Sequence, residues 1–179
     1  MLKIIIESFY LMLPAYFANM APVICRGIFD SLAFPLDFNK KFLGKQILGK
    51  NKTFRGLISG LIFAIVIAFI QNVLYNYELF KGISLLDYHQ WLLIGLLLGV
   101  GALVGDAVKS FIKRRIGIPP GNSLAIFDQI DFVIGAIIFI SFIKKLNFNL
   151  IITIVIISYI LNVLVNSISY YLKIRTDRW

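Results

Sequence analysis

Long apolar stretches with almost no charge alternate along this chain with short clusters of lysine and arginine. A water-soluble fold spreads its charges to cover a core. This chain gathers them instead, as a protein that crosses a membrane repeatedly does. Of its 179 residues, 59% are hydrophobic and only 15% charged. The mean hydropathy of +0.86 and the lack of low-complexity tracts exclude a disordered or fibrous chain. Five spans are read at about residues 4–23, 57–75, 91–112, 127–145 and 150–172. In hydrocarbon every backbone amide needs a partner within the chain, and these runs are too long and too apolar for barrel strands. The expected fold is a single all-α integral membrane domain of five transmembrane helices. The first run is broken by Pro14, Asn19 and Pro22 and lacks the basic, apolar, small-residue order of a cleaved leader, so it reads as a span. One cysteine, Cys25, excludes an internal disulfide framework and a four-cysteine zinc site.

Orientation follows from the basic residues. Fourteen of the 18 lysines and arginines fall on one set of flanks: between the first two spans, after the third, and after the fifth. Only Lys3, Lys81, Lys144 and Lys145 fall on the other set. The amino terminus is therefore expected outside and the carboxyl terminus in the cytoplasm of a multi-pass cell-membrane protein. The formal charge of +9 mostly expresses this asymmetry, with anionic membrane lipids rather than nucleic acid as its partner.

Two cytoplasmic regions call for a function. The connection 26–54 is long for a helix–helix loop and mixes aromatics with lysines, as an amphipathic segment on a membrane surface does. It ends in Gly49-Lys50-Asn51-Lys52-Thr53-Phe54-Arg55-Gly56, which lacks the spacing of a nucleotide-cradling phosphate loop. The second region surrounds the expected catalytic loop 113–126. A helix from Trp91 rises only about 22 Å by Gly105, short of the roughly 30 Å hydrocarbon core, so Asp106 is sunk below the cytoplasmic boundary. The apolar run after Asp131 is also too short to cross, which brings Asp128 and Asp131 to a similar depth. Ionisable groups there are costly unless paired, metal-bound or wet, and mark function.

Asp106, Lys109, Ser110 and Lys113 are spaced to share one helical face, and Asp128 and Asp131 can share another. Carboxylates beside ammonium and hydroxyl groups suit a divalent metal and phosphates together. Oxygen ligands favour Mg²⁺, with Asp106, Asp128 and Asp131 as its expected ligands. The bland alternative is a set of Asp–Lys pairs that merely fasten helices.

Gly105-Asp106, Ser110-x-x-Lys113-Arg114 and Asp128-x-x-Asp131, with Lys52-Thr53-x-x-Gly56 upstream, resemble the signature of the CDP-diacylglycerol synthase superfamily. Short length, five spans and Asp128-Gln129-Ile130-Asp131-Phe132 are most similar to its archaeal branch, the CDP-archaeol synthases. The chain departs from the bacterial pattern near Pro119-Pro120, near Gly121-Asn122-Ser123, and at Gln129. The resemblance implies a CTP-dependent cytidylyltransferase that converts an isoprenoid glycerol phosphate lipid, bis-O-geranylgeranylglycerol phosphate, to the CDP-activated lipid and pyrophosphate. Catalysis is then expected of Asp106, Lys113, Asp128 and Asp131, and substrate binding of Lys52, Thr53, Arg55, Lys109, Ser110 and Arg114. A phosphate monoester is already an anionic nucleophile, so no serine–histidine device is needed, and His89 reads as an interfacial residue.

A small membrane transporter, a CDP-alcohol phosphotransferase-like enzyme and a noncatalytic scaffold are the competing readings. The first would place polar groups across both leaflets. The second expects Asp-x-x-Asp-Gly, which is absent after Asp128. The broken first span, with Asn19 near the carbonyls its prolines free, is the expected gatepost for a lipid arriving sideways. Asn162, Asn166 and Ser169 form a polar row on the fifth span, expected to hydrogen-bond within the bundle. The pairs Gly95–Gly99 and Gly101–Gly105 permit close helix approach, within the chain or in a homodimer.

Overall fold

The computed structural model describes residues 2–120, 122 and 127–171, without the side chains of 127, 169 and 170. Gly121, Ser123, the Ser169 side chain, Lys173, Arg175 and Arg178 lie outside the described residues. Six helices build the molecule: α1 (Leu2–Ile24), α2 (Phe54–Leu74), α3 (Glu78–Ile83), α4 (Trp91–Arg115), α5 (Phe127–Ile140) and α6 (Phe148–Tyr171). Among the described residues four helical stretches are long and apolar enough to cross a membrane: Leu2–Ile24, Phe54–Leu74, Tyr88–Arg115 and Phe148–Ile168. Helix α5 has 14 residues, about 21 Å of rise, and a turn follows it.

Helix α1 runs unbroken through Pro14 and Pro22, with α2 packed beside both positions. Pro14 lacks an N–H, so the carbonyl of Tyr10 one turn earlier loses its helical partner. The buried Gln71 of α2 replaces it, donating Nε2 to Tyr10 O at 2.6 Å. Pro22 frees the carbonyl of Ala18, beside which α2 carries Gly60. A Cβ at Gly60 would stand 2.9 Å from that oxygen. Asn19, expected at these carbonyls, instead lines a groove between α1 and α6.

Helix α4 occupies the centre and contacts α1, α2 and α5. Its glycines divide the work. A Cβ at Gly95 would meet Ala68 Cβ at 3.0 Å, and one at Gly99 would meet Ala64 Cβ at 2.7 Å, so this pair seats α4 on α2. A Cβ at Gly101 would meet Gly135 O at 2.7 Å, and Gly105 faces Asp131 and Gly135, so this pair seats α4 on α5. Both glycine pairs thus serve contacts within the chain. Buried Leu98, Ala102, Val133, Ala136, Ile140 and Ile154 fill the core between them. Helix α6 is tied in by Tyr16 OH to Ser158 Oγ (2.7 Å), and by Asn162 Nδ2 donating to Gln129 O (3.2 Å). Asn166 Nδ2 in turn donates to Asn162 Oδ1 at 3.3 Å, so two members of the expected polar row are hydrogen-bonded.

The connection 26–54 contains one 3₁₀ turn (Asp30–Leu32) and a hairpin of β1 (Lys41–Phe42) with antiparallel β2 (Lys45–Gln46), Lys41 opposite Gln46. The hairpin turns at Leu43 and Gly44, both with positive φ, which matches the twist of the short strands. Its return leg runs beside its start: Leu36 N donates to Lys52 O at 2.7 Å, and Phe54 N donates to Phe34 O at 3.0 Å. This pairing fixes where Lys52 stands.

Candidate functional site

Three elements deliver six charged side chains to one place. The last three turns of α4 supply Asp106, Lys109 and Lys113, all on one face. The first two turns of α5 supply Asp128 and Asp131, and the return leg of the connection supplies Lys52. The glycine contact between α4 and α5 brings the two acidic faces within reach of one ammonium. Lys109 Nζ lies 2.8 Å from Asp131 Oδ2, 3.1 Å from Asp106 Oδ1 and 3.4 Å from Asp128 Oδ1. Lys113 Nζ lies 2.8 and 3.0 Å from the two Asp128 oxygens. Lys52 Nζ donates to Asp106 Oδ2. The six side chains are between 8% and 26% exposed, Lys113 and Asp131 the most deeply buried and Lys52 the least.

Three carboxylates and three ammonium groups cancel. The cluster is neutral as it stands, which is how charges persist in an apolar bundle. The same neutrality limits what the cluster can do unaided, because it offers no net attraction to a polyphosphate. Its oxygen donors are of the kind that Mg²⁺ takes. In the present side-chain arrangement no three metal-ligating groups among the described residues stand close enough to share one ion, and Lys109 lies among the three aspartates.

The other expected site residues lie around this centre rather than in it. Ser110 Oγ donates to the carbonyl of Asp106 at 2.9 Å. Thr53 caps α2, its Oγ1 accepting from Gly56 N at 3.2 Å. Arg55 reaches Asp30 at 2.8 Å, away from the aspartates of the cluster. Arg114 is buried and donates to the carbonyl of Ile118. His89 meets Tyr75 edge-on, ring centroids 5.3 Å apart, at the start of α4 and far along the helix from the cluster.

Two residues outside the expected site order the connection: Arg115 holds it against α4, and Asp37 folds it on itself. Arg115 donates to the carbonyls of Phe42, Lys45 and Gln46, and its guanidinium lies over the rings of Phe111 (5.0 Å) and Phe42 (5.4 Å). Lys45 Nζ returns a bond to Arg115 O at 2.9 Å. Asp37 is buried and accepts from the N–H groups of Leu48 (2.9 Å), Gly49 (3.0 Å) and Asn39 (3.0 Å). Burial alone would raise its carboxyl, but these N–H donors outweigh it and hold Asp37 below the usual carboxylate range. Its one sequence signal is an Asp-x-Asn turn pattern. Gly49 follows in a left-handed conformation that brings the chain against Pro120 (φ +98).

Known proteins resemble this chain along nearly its whole length. A family model described as CarS-like, CDP-archaeol synthase, matches residues 1–179. A CDP-archaeol synthase of Methanocaldococcus jannaschii is 34% identical, with 99% of this chain and 98% of the relative aligned. One from Pyrococcus furiosus is 35% identical over 98% of each. A solved structure described as "Structural insight into an intramembrane enzyme for archaeal membrane lipids biosynthesis" superposes with a TM-score of 0.74 at 28% identity. The match covers 90% of this chain and 94% of that one. With the family model spanning every residue, the chain belongs to the CDP-archaeol synthase family.

Proposed function

We propose that Lys52, Lys109, Lys113, Asp106, Asp128 and Asp131 form the active site at which this CTP-dependent enzyme of archaeal lipid biosynthesis transfers a cytidylyl group to a lipid phosphate. An oxygen of the lipid phosphate forms a bond to the α-phosphorus of CTP. The bond from that phosphorus to the bridging oxygen breaks, and pyrophosphate departs with the electron pair. Nucleophile and nucleotide are both anionic, so the protein's task is to neutralise and align them rather than to form a covalent intermediate.

One observation carries the assignment. Three carboxylates from two helices converge on the single ammonium of Lys109 beside two further lysines. Because the cluster is neutral, accepting several phosphates requires added positive charge. Asp106, Asp128 and Asp131 would hold Mg²⁺, which supplies that charge and polarises the phosphoryl oxygens. Lys52, Lys109 and Lys113, once released from their carboxylates, bind phosphate oxygens, with Ser110 and Thr53 nearby for hydroxyl contacts. Arg55 and Arg114 contribute from the periphery, Arg55 through its hold on the connection. A lipid substrate explains why such charges sit within an apolar bundle.

The membrane reading goes with it. Helices α1, α2, α4, α5 and α6 are the five spans, with the short α5 reaching the far boundary through the residues after Ile140. The basic flanks put the amino terminus outside and the site toward the cytoplasm, where CTP is available. The lipid is an isoprenoid glycerol phosphate. The test is purified protein with CTP, Mg²⁺ and a panel of isoprenoid-ether and fatty-ester lipid phosphates, read as pyrophosphate release. Release that depends on the lipid phosphate and is greatest with isoprenoid ethers supports the assignment. No release with any lipid phosphate overturns it.

A further inference from the structure

We propose that Arg115 is a positioning residue of the active site: by clasping the hairpin of the connection to the end of α4, it sets Lys52 against Asp106. This rests on the cytidylyltransferase reading above and adds what holds one of its cations in place. Arg115 is the last residue of α4, and its guanidinium is engaged by the connection. Nη1 donates to the carbonyl of Phe42, and Nη2 donates to the carbonyls of Lys45 and Gln46. The ring of Phe111 lies 5.0 Å from the guanidinium and that of Phe42 lies 5.4 Å from it. The grip is mutual. Lys45 Nζ donates at 2.9 Å to Arg115 O, one of the carbonyls that a helix end leaves without a helical partner.

The clasp reaches Lys52 through a stretch of chain that is tied along its length. Lys52 follows Gln46 by six positions. Between them Ile47 N donates to Lys40 O at 3.3 Å, and the N–H groups of Leu48 and Gly49 donate to Asp37. Lys52 N donates to Gly49 O at 3.1 Å, and Leu36 N donates to Lys52 O at 2.7 Å. A hairpin that left α4 would therefore carry the return leg, and Lys52 with it. Asp106 lies nine residues before Arg115, about 14 Å of helical rise. The connection is thus fastened to α4 at two points, by Arg115 at the end of the helix and by the Lys52–Asp106 pair further in. Substrate binding undoes the second point, because Lys52 has to release Asp106 to take a phosphate oxygen. At that step the clasp keeps the ammonium within reach of the site, where orientation counts most.

A direct role on phosphate does not suit Arg115. Both of its Nη nitrogens serve carbonyls of the hairpin, and its Nε is shut away from solvent. Arg114 carries the same charge one residue earlier, yet it donates to the carbonyl of Ile118. Charge alone therefore does not make the clasp. The planar fork does, since it reaches several carbonyls at once and stacks on aromatic rings, and a lysine would keep the charge while losing both. That difference separates positioning from simple attraction of a polyphosphate.

The experiment is a double-variant cycle on kcat/KM for CTP, with Arg115→Gln, Arg115→Lys, Lys52→Ala and the double variant Arg115→Gln with Lys52→Ala. If Arg115 acts through Lys52, losing it can cost at most what losing Lys52 costs. Arg115→Gln and Arg115→Lys are therefore expected to lower kcat/KM by about threefold to tenfold, chiefly through KM, with tenfold the scale of one charge-assisted hydrogen bond. In the Lys52→Ala background the same change should have no further effect. Lys41→Ala, which removes an exposed hairpin charge outside the clasp, should match wild type. Additive losses, wild-type activity in Arg115→Lys, or an equal loss in Lys41→Ala would overturn the proposal. So would a loss of kcat at unchanged KM, the mark of a protein that merely folds less well. A second measurement needs no substrate. Modification of Lys52 by a small amine-acylating reagent, read by mass spectrometry, should quicken severalfold in both Arg115 variants while that of Lys81 stays as in wild type. An unchanged rate at Lys52 would overturn the proposal. Faster modification of Lys52, with no pyrophosphate release even by wild type, would keep the positioning of Lys52 and strike the cytidylyltransferase reading alone.

Discussion

A lone carboxylate in the connection and a cluster of three between the helices are satisfied in opposite ways. Asp37 accepts from three backbone N–H groups of its own loop, donors that are fixed in the chain and have no other use. Asp106, Asp128 and Asp131 are satisfied by lysine ammonium groups on flexible stems. The first arrangement only holds a shape. In the second, each partner is exchangeable, since a carboxylate that releases a lysine can take a metal and the lysine a phosphate. The proposed active site rests on this contrast between fixed backbone donors and exchangeable side-chain cations.

The strongest way to break this contrast is to remove charge from the mobile group. Asp106→Asn, Asp128→Asn and Asp131→Asn keep size and fold while lowering the charge of the proposed metal and phosphate site. Each is expected to reduce turnover by two to three orders of magnitude, roughly the scale of losing a principal electrostatic contact in a transition state. Pyrophosphate release, with elution and helicity unchanged, is the measurement. Near-normal turnover in one variant removes that residue from the site.

Lys109 sharpens the comparison because it touches all three aspartates. Lys109→Met removes the central cation and leaves buried carboxylates facing one another, a loss of about 3 kcal/mol if the pairs behave as buried ones do. Thermal unfolding should fall in metal-free buffer and recover on adding Mg²⁺ by more than wild type gains. A variant as stable as wild type without Mg²⁺ would mean that Lys109 is not what keeps the apo cluster neutral. Lys52→Ala and Lys113→Ala remove outer cations. Each is expected to raise the CTP requirement or lower turnover by about tenfold, the scale of one charge-assisted hydrogen bond. Activity equal to wild type in both would leave these lysines as topology anchors only.

Much of this contrast was legible before the structure, and the part that was not has a definite cause. The face bearing Asp106, Lys109, Ser110 and Lys113 follows from helical period alone, and the family follows from the spacing of those residues with Lys52, Asp128 and Asp131. Period does not say which residues on neighbouring helices touch. The meeting of Lys109 with all three aspartates depends on the backbone approach at Gly101, Gly105 and Gly135, whereas sequence left the glycine pairs open between intrachain and intermolecular use. Pro14 of α1 likewise reads as a weak point, since its remedy, Gln71, lies 57 positions later on another helix. Arg114 and Arg115 are adjacent and chemically identical, yet one satisfies a carbonyl at the end of α4 and the other clasps the hairpin. Only the hairpin's position separates them.

The smallest expected effect tests the fixed side of the comparison. Asp37 Oδ2 accepts from both Leu48 N and Gly49 N, and Oδ1 accepts from Asn39 N. An asparagine there keeps one acceptor and turns an NH₂ toward donors, which should weaken the loop by about 1–3 kcal/mol. Lys52 follows Gly49 by three residues, so Asp37→Asn should change turnover by only a small factor while hydrogen exchange at Leu48 and Gly49 quickens markedly. The pH dependence has a definite sign. A carboxyl held below its usual value stabilises the fold fully above the unfolded value of about 3.9 and loses that contribution as pH falls through the lower folded value. Wild type and Asp37→Asn should therefore differ by a constant amount from neutrality down to about pH 5 and converge only in stronger acid. Equal exchange at Leu48 and Gly49 in the two proteins at neutral pH would show that this carboxylate does not order the loop, and Arg115 alone would be left to hold it against α4.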